Sequence, residues 1–304
     1  MSKNIFFESK GPFKLNILFP SNSTSNIKVN DIKTLDEAGK LDLTFFDSLN
    51  YKNLAEKTKA GSCITRENLK RYLPNACEAI IVKSVLFELA KVTSKFYPNA
   101  DIDYPDNSLK KPNKTKFPGV KFGNNVLIGK NVKIGKSSIV GSNTIIEKNV
   151  LIGNSCTIGS QIMIKNTMVG NNVVIQDGAK IGLKGFGFIP LKGKNLRFPH
   201  VGKVILEDNV EIGASCTIDR GSIGNTIIGK NTFLDNQVHM AHNVKVGENC
   251  MIAGQVGFAG SSTLGNNVSI GGQAGISGHL KIGKNVQIAA KSGVTKNISD
   301  NSVV

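Results

Sequence analysis

From residue 120 onward an aliphatic residue recurs every six positions, and glycine or a small or polar residue usually follows it. A period of six predicts one flat side of a triangular coil for each repeat, with the aliphatic residue pointing inward. Eighteen residues then complete one turn, and the stacked turns share a continuous core. The repeat is carried by Phe122, Ile128, Ile134, Val140, Ile146, Ile152, Ile158 and Ile164, and later by Leu206, Ile212, Ile218, Ile228, Leu234, Met240, Val246, Ile252, Phe258, Leu264, Ile270, Ile276, Ile282, Ile288 and Val294.

The rest of the chain is organised around this solenoid. Strand-like runs at Phe13–Phe19 and Ala79–Val82 and a helical pattern at Ser84–Phe96 predict a small mixed domain at the start. A polar segment with three prolines predicts a linker. The predicted bounds are an α/β domain at 1–100, a linker at 101–119, the β-helix at 120–298 with an excursion at 183–203, and a tail at 299–304.

The excursion contains Phe186 and Phe188 between glycines. An insertion in a solenoid usually lies on one face and often serves binding. We expect a flap over a ligand, and an inert surface loop is the alternative.

A net charge of +16 would attract polyanions such as nucleic acid, anionic lipid or nucleotide phosphates. The lysines are scattered along the repeat, and no interleaved aromatic and arginine residues are present that could stack bases. We therefore expect no nucleic-acid partner.

Five cysteines without a CxxC pair predict free thiols in a reducing compartment. The first twenty residues lack the basic and apolar regions of a signal peptide. No apolar stretch approaches the roughly 20 residues that a membrane-spanning helix needs. These features predict a cytoplasmic protein without an integral membrane segment.

Histidines are the clearest candidates for chemistry, since the chain has only four. His242 follows the inward Met240 at a corner of the coil, and His279 lies 37 residues later, about two turns further along. Asp235 precedes His242 by seven residues, a spacing that permits its carboxylate to orient the imidazole.

A metal site is the alternative for these histidines, because His239 and His242 form an HxxH pair. Residues three apart straddle a corner, and no cysteine or carboxylate cluster completes a tetrahedral set. We therefore expect no metal.

Several short motifs stand out along the chain: Thr217–Gly221, Asp235–Gln237, Ala241–Asn243, Ala259–Gly260, Gly278–His279, Gly185–Phe188, and Leu43–Phe46 leading to Tyr51. Together they resemble one enzyme family, the UDP-3-O-(3-hydroxyacyl)glucosamine N-acyltransferases of lipid A biosynthesis. The resemblance spans nearly the whole chain and implies a left-handed parallel β-helix behind a small N-terminal α/β domain.

The resemblance implies transfer of a 3-hydroxyacyl chain from acyl carrier protein to the C2 amine of UDP-3-O-acyl-glucosamine. It implies a homotrimer with active sites between adjacent coils and no cofactor beyond the carrier's phosphopantetheine. By analogy His242 is the general base, Asp235 orients it, and the Gly260 N–H stabilises the oxyanion. His279 assists binding in the same cleft, and Phe45 and Tyr51 hold the uracil.

Three departures from the family pattern stand out. Ser48 replaces an amide between the Phe and the Tyr of the uracil segment. Gly293 lies near the end of the expected groove, where a missing side chain leaves room for a longer acyl chain. The sequence given ends at Val304, without the C-terminal helices common in the family.

Three other functions compete with this one. An acetyl-CoA-dependent sugar-nucleotide N-acetyltransferase also uses a hexapeptide solenoid and a histidine base. An O-acyltransferase of the same pathway would place its solenoid first and its helices after it, the reverse of the order here. A non-enzymatic solenoid scaffold shares the fold alone.

Overall fold

A computed structural model describes residues 4–304, which form two compact units. The first comprises the chain up to Ile102 together with Gly187–Val201, and the second comprises Asp103–Phe186 and Gly202–Val304. The first boundary falls at Ile102, and part of the predicted excursion belongs to the first unit.

The first unit contains a four-stranded parallel sheet. Its strands are Asp31–Ile32, Asp42–Phe46, Ser62–Thr65 and Glu78–Ile81, in that order. The other elements are the antiparallel pair Phe13–Lys14 and Lys28–Val29, helices Leu15–Leu18, Lys52–Ala55 and Val85–Phe96, 3₁₀ turns Leu49–Tyr51 and Glu67–Tyr72, and the hairpin Phe188–Leu191 with Lys194–Arg197.

The helix predicted at Ser84–Phe96 is present, with its apolar stripe of Val85, Leu89 and Val92 buried. The strand predicted at Phe13–Phe19 is wrong beyond Lys14, because Leu15–Leu18 form a short helix. Leu15 and Leu18 are buried on its inner face, so helical spacing there competes with the strand pattern.

The second unit is a parallel β-helix with three faces, called here sheets 1, 2 and 3 in the order in which the chain visits them. Pairing of Ile139 with Thr157 shows the expected advance of eighteen residues per coil. This confirms the predicted left-handed parallel β-helix. The first, second and third corners follow sheets 1, 2 and 3 respectively.

The strand bounds are as follows. Sheet 1 contains Lys121–Phe122, Ile139–Val140, Thr157–Ile158, Val174–Ile175, Glu211–Ile212, Phe233–Leu234, Met251–Ile252, Ser269–Ile270 and Gln287–Ile288. Sheet 2 contains Leu127–Ile128, Ile145–Ile146, Met163–Ile164, Lys180–Lys184, Thr217–Arg220, His239–Met240, Gly257–Phe258, Gly275–Ile276 and Gly293–Val294. Sheet 3 contains Lys133–Ile134, Leu151–Ile152, Thr167–Val169, Val204–Leu206, Thr226–Ile228, Lys245–Val246, Thr263–Leu264 and Lys281–Ile282. A 3₁₀ turn at Lys114–Lys116 precedes them.

The core of this unit is the stack of second residues of these strands, most of which are buried. Complete burial of such a side chain contributes about 1.5–3 kcal/mol. Coils continue past the last strand, since Ile298 pairs with Ile282 and Val303 with Gln287. The segment predicted as a tail is therefore bridged to the coil below it.

Corners of the coil require a left-handed backbone, and non-glycine residues supply it. Asparagine tolerates this conformation better than most residues because its short amide bonds locally. Along the third corner these amides also bond to one another from coil to coil, as Asn231 does to Asn249 at 3.1 Å and Asn267 to Asn285 at 3.0 Å. The abundance of asparagine thus has a structural role.

Candidate active site

His242 lies at the second corner, two residues after the buried Met240. Its imidazole Nδ1 lies 3.0 Å from the side-chain oxygen of Asn243. Asn243 occupies a left-handed corner position with φ of 62°. The tight corner therefore holds the amide beside the ring.

The bonding of Asn243 fixes the tautomer of His242. The backbone N–H of Ser222, which can only donate, bonds to Asn243 Oδ1 at 2.9 Å, and the Ser222 hydroxyl donates to the same oxygen at 2.8 Å. The atom facing the ring is therefore an acceptor, so Nδ1 carries the proton and Nε2 is the basic nitrogen.

The surroundings keep this imidazole neutral. Burial lowers the pKa of His242, the bond to Asn243 raises it, and the charge of His279 lowers it. The net shift is downward, so the pKa lies below the ordinary value of 6.5. A neutral Nε2 can accept a proton at neutral pH.

Gly260 lies one coil above His242 and packs against its ring. A Cβ placed on Gly260 would lie 2.7 Å from Cε1 and 2.8 Å from Nε2 of His242. Among the described residues the Gly260 N–H donates to no acceptor, whereas its carbonyl accepts from the His279 N–H at 3.1 Å. Only a residue without a side chain leaves the imidazole in this position.

His279 lies at the same corner, one coil above Gly260. Its φ of 60° places it in the left-handed position that Asn243 and Ser261 occupy in the coils below. The predicted spacing of about two turns is therefore correct, with one residue of offset from His242. The structure brings His242, Gly260 and His279 together along one edge.

Asp235 lies at the first corner, at the other end of the strand that leads to His242. Its carboxylate accepts from the Asn236 N–H at 2.7 Å. One side of six residues at ~3.3 Å per residue spans up to roughly 20 Å. Within one chain the structure does not bring Asp235 and His242 to the same corner, and Asn243 holds the Nδ1 side of the ring.

An open groove of about 710 Å³ runs along sheet 1 beside Asp235. Phe233 and Met251 line it and are about half exposed. His242 is not among its lining residues. This groove thus includes Asp235 and excludes the edge that carries the histidines.

Gly293 ends a row of outward positions on sheet 2 formed with Gly257 and Gly275. A Cβ at any of the three would meet no atom within 4 Å. His239 is the next residue of this row, and its Nδ1 lies 2.7 Å from the Thr217 hydroxyl. Gly293 therefore lies on an open part of the surface of the single chain, and its role in accommodating an acyl chain stays a prediction.

Buried charges lie below the histidine edge. Lys165 contacts Asp103 and Glu147 at 3.2 Å each, and Arg220, with a side chain 1% exposed, donates to Asp103 at 3.3 Å. Burial raises the pKa of Asp219 to about 7, although the adjacent Arg220 lowers it. The sequence analysis did not identify this network, because its members are far apart in the chain.

In the first unit, the predicted uracil segment follows one strand. Phe45 lies in Asp42–Phe46, and Ser48 caps the 3₁₀ turn that contains Tyr51 by accepting from the Asn50 N–H at 3.3 Å. Burial raises the pKa of Tyr51. The three predicted residues therefore lie on one short segment of chain.

The predicted excursion contains an antiparallel hairpin. Phe188 begins it and packs beneath the Arg197 guanidinium, 4.3 Å from the ring centroid. Phe186 precedes the hairpin in the second unit and is 83% exposed. Both phenylalanines are accessible in part, and neither lies in the core.

Two searches of residues 4–304 bear on other kinds of site. None of their helices is long and apolar enough to cross a membrane. Across the same residues, no group of three or more His, Cys, Asp or Glu side chains could hold a metal ion.

Family models match both units. One described as UDP-3-O-(3-hydroxymyristoyl) glucosamine N-acyltransferase, LpxD, matches residues 26–94. Another, for bacterial transferase hexapeptide repeats, matches residues 119–154 and 225–260.

Curated relatives include proteins named UDP-3-O-acylglucosamine N-acyltransferase. The protein from Azorhizobium caulinodans is 41% identical over 226 residues, which is 72% of this chain and 63% of the relative. The protein from Methylobacterium sp. strain 4-46 is 38% identical over 259 residues, which is 80% of this chain and 74% of the relative. The chain thus spans between three fifths and three quarters of these relatives.

Solved structures share the coil. UDP-N-acetylglucosamine acyltransferase from Campylobacter jejuni has a TM-score of 0.52 and 24% identity, with 59% of this chain and 68% of that chain covered. The Francisella novicida enzyme of the same name has a TM-score of 0.53 and 28% identity, with 58% and 63% covered. These matches show the β-helical fold.

Proposed function

The chain belongs to the UDP-3-O-acylglucosamine N-acyltransferase family, and we propose that it transfers a 3-hydroxyacyl chain from a thioester to the C2 amine of UDP-3-O-acylglucosamine. The observation that carries the proposal is the contact of His242 Nδ1 with Asn243 Oδ1 at 3.0 Å, in a corner where burial lowers the pKa of the imidazole. A fixed tautomer with a basic Nε2 is what removal of a proton from an attacking amine requires.

A single base is enough for both proton transfers of the reaction. The amine nitrogen attacks the thioester carbonyl carbon while Nε2 of His242 takes its proton. The C–S bond then breaks, and the thiolate leaves and takes the proton from the imidazolium. General base catalysis of this kind contributes about 10²–10⁴-fold in rate.

In this scheme Gly260 stabilises the negatively charged tetrahedral intermediate. Its N–H makes no hydrogen bond to the described residues, and Gly260 itself packs against the His242 ring. A backbone N–H preorganised at this place stabilises the oxyanion of the tetrahedral intermediate. His279, one coil above, assists binding of the substrate.

We propose that the carboxylate of Asp235 orients the His242 imidazole of an adjacent copy in a homotrimer. Asp235 and His242 lie at different corners of one chain, so the predicted pairing needs a second chain. Half-exposed Phe233 and Met251 near Asp235 offer an apolar surface for such an assembly.

The nucleotide and the donor have separate proposed sites. Phe45, Ser48 and Tyr51 hold the uracil of the UDP-sugar, and Phe186 and Phe188 cover bound substrate. Acyl carrier protein delivers the acyl chain on its phosphopantetheine, so the enzyme itself needs no cofactor. A cytoplasmic site of action agrees with five cysteines that are all free and buried.

Mass spectrometry of the product tests the proposal. Wild type should convert UDP-3-O-acylglucosamine and 3-hydroxyacyl carrier protein into the N-acylated product, and His242→Ala should lose nearly all of this activity. His239→Gln, three residues away, is the matched control and should keep it. Acetylated product from acetyl-CoA would favour the N-acetyltransferase, and no product with any donor would favour the scaffold.

A further inference from the structure

Asp219 is a buried carboxylate that the proposed reaction does not use. It lies in the strand Thr217–Arg220, within one of the motifs that stand out in the sequence, and it is 9% exposed. Its carboxyl forms no hydrogen bond or ion pair with any residue between 4 and 304. A buried carboxylate without a partner is costly, so its presence indicates a role other than holding the fold together.

The adjacent arginine is not the ion-pair partner of Asp219. The guanidinium of Arg220 donates to Asp103 at 3.3 Å and to the Gly182 carbonyl at 3.2 Å. Successive residues of a strand point to opposite faces, and Ile218, on the other side of Asp219, is buried in the core. Asp219 therefore points to the outer face of sheet 2, away from both neighbours, where a bound molecule can reach it.

Strand pairing places Asp219 one coil below the candidate base. His239–Met240 pairs in register with the start of the strand that contains Asp219, so Asp219 lies diagonal to His242 across the two coils. Coils are ~4.8 Å apart and strand residues ~3.3 Å apart, so the two Cα atoms are about 6 Å apart. The segments stay in contact further along, where the Ser222 hydroxyl donates to Asn243 at 2.8 Å. At this separation one small group of a substrate can lie against both the carboxylate and the imidazole.

A ligand that carries its own positive charge would supply the missing partner. Burial raises the pKa of Asp219 to about 7, so the ionised carboxylate is present at neutral pH, and a cation bound beside it would favour that form. The acceptor of the proposed reaction carries a primary amine at C2, which is positively charged when protonated. Hydrogen bonds between charged groups are roughly twice as strong as those between neutral groups, so a carboxylate prefers an ammonium to a hydroxyl.

We propose that Asp219 binds the C2 ammonium of the acceptor sugar and so selects an amine over a hydroxyl as the acceptor. This inference rests on the proposed function and names the residue that sets its acceptor class. One proton of the ammonium passes to water, and the neutral amine then attacks with His242 as the base. The acylated nitrogen of the product carries no positive charge, so the ion pair is lost in the product and its release is favoured.

Two ligands that differ only at C2 test the inference. One is UDP-3-O-acylglucosamine, and the other is UDP-3-O-acylglucose, which has a hydroxyl in place of the amine. Their Kd values are measured by calorimetry, without an acyl donor, for wild type, Asp219→Asn and Glu207→Gln. Glu207 is the matched control because its carboxylate lies at the third corner and accepts from the Lys230 N–H at 3.1 Å, which a glutamine can also do.

Wild type should bind the amine at least tenfold more tightly than the hydroxyl analogue. In Asp219→Asn the two Kd values should lie within about twofold of each other, because affinity for the amine falls and affinity for the analogue stays. Glu207→Gln should keep the wild-type ratio. In turnover assays, Asp219→Asn should raise the KM for the acceptor at least tenfold and leave the KM for the acyl donor within about twofold.

Three results would overturn the inference: equal binding of both ligands by wild type, an unchanged ratio in Asp219→Asn, or an equal loss of affinity for both ligands in that variant, which would make the carboxylate structural. If Asp219→Asn does not fold, Asp219→Glu is measured in its place, since it keeps the charge and moves it by one methylene. Its ratio should fall at least threefold, and an unchanged ratio would overturn the inference.

Failure of the proposed function is a different result. In that case wild type makes no N-acylated product with any acyl donor. The ratio of the two Kd values is measured without a donor, so it still reports whether Asp219 recognises the amine.

Discussion

The contact between Gly260 and His242 makes a single methyl group a sharp test of the site. Gly260→Ala would place a Cβ 2.7 Å from Cε1 and 2.8 Å from Nε2 of the imidazole, where ordinary contacts begin at about 3.4 Å. The imidazole ring must therefore move by roughly 0.7 Å, because the added Cβ is bonded to the backbone of the coil, which moves less easily than a side chain. The backbone of Gly260 is not left-handed, so alanine is tolerated there.

The size of the effect follows from that displacement. A misplacement of about 1 Å at a reacting group can cost 10²-fold in rate. We expect kcat/KM to fall 10–100-fold, or about 1.4–2.7 kcal/mol of transition-state stabilisation. The free energy of unfolding should change by less than about 1 kcal/mol.

The assay combines steady-state rates, denaturant unfolding and NMR of the four histidine side chains. Gly257→Ala, on the same coil, is the control because its added Cβ would meet no atom within 4 Å. The His242 signal should shift in Gly260→Ala and remain in place in Gly257→Ala. A stable Gly260→Ala protein with wild-type kcat/KM and an unshifted His242 signal would refute the geometry.

Three further predictions concern the same edge and the charges below it. His279→Gln removes a positive charge that lowers the pKa of His242, so the acid limb of the pH profile of kcat/KM should move to higher pH; a limb that stays or moves lower contradicts this. Asn243→Leu removes the acceptor of Nδ1–H and should reduce kcat/KM at least tenfold with the KM values little changed; full activity would show that the tautomer needs no partner. Arg220→Ala breaks the buried ion pair of Arg220 with Asp103 and leaves Lys165 as the other partner of that carboxylate, and it should lower the free energy of unfolding in urea by about 3 kcal/mol, whereas a loss under 1 kcal/mol would mean that the network is solvated.

The period of six predicted most of the fold, because each repeat buries one aliphatic side chain and three repeats, one on each face, complete one turn of the coil. The corner position of His242 followed from the same phase, counted from Met240. The hydrogen-bond partner of the imidazole could not be predicted from this phase. Asn243 was part of a motif without an assigned role, and its left-handed φ, which holds the amide beside the ring, is visible only once the corner is built.

Elements without a period were harder to predict. Leu15–Leu18 form one helical turn in a segment whose sequence pattern fits a strand equally well, since four residues are too few to show a helical period. The contacts of Lys165 and Arg220 with Asp103 join residues up to 117 positions apart. They come together only when the segment that contains Asp103 packs against the stacked coils, so local sequence patterns cannot reveal them.

Because the histidine edge is assembled from successive coils, its longitudinal distances come in fixed steps. His242, Gly260 and His279 belong to three neighbouring turns, and inserting or deleting a whole turn between two of them would change their separation by about 4.8 Å at once. Smaller changes in these distances depend on the side chains, and at Gly260 the lack of a side chain sets the position of the imidazole. In this architecture, the number of turns between two groups sets their separation in steps of one coil. The presence or absence of a single methyl group then sets the position of a catalytic side chain within such a step.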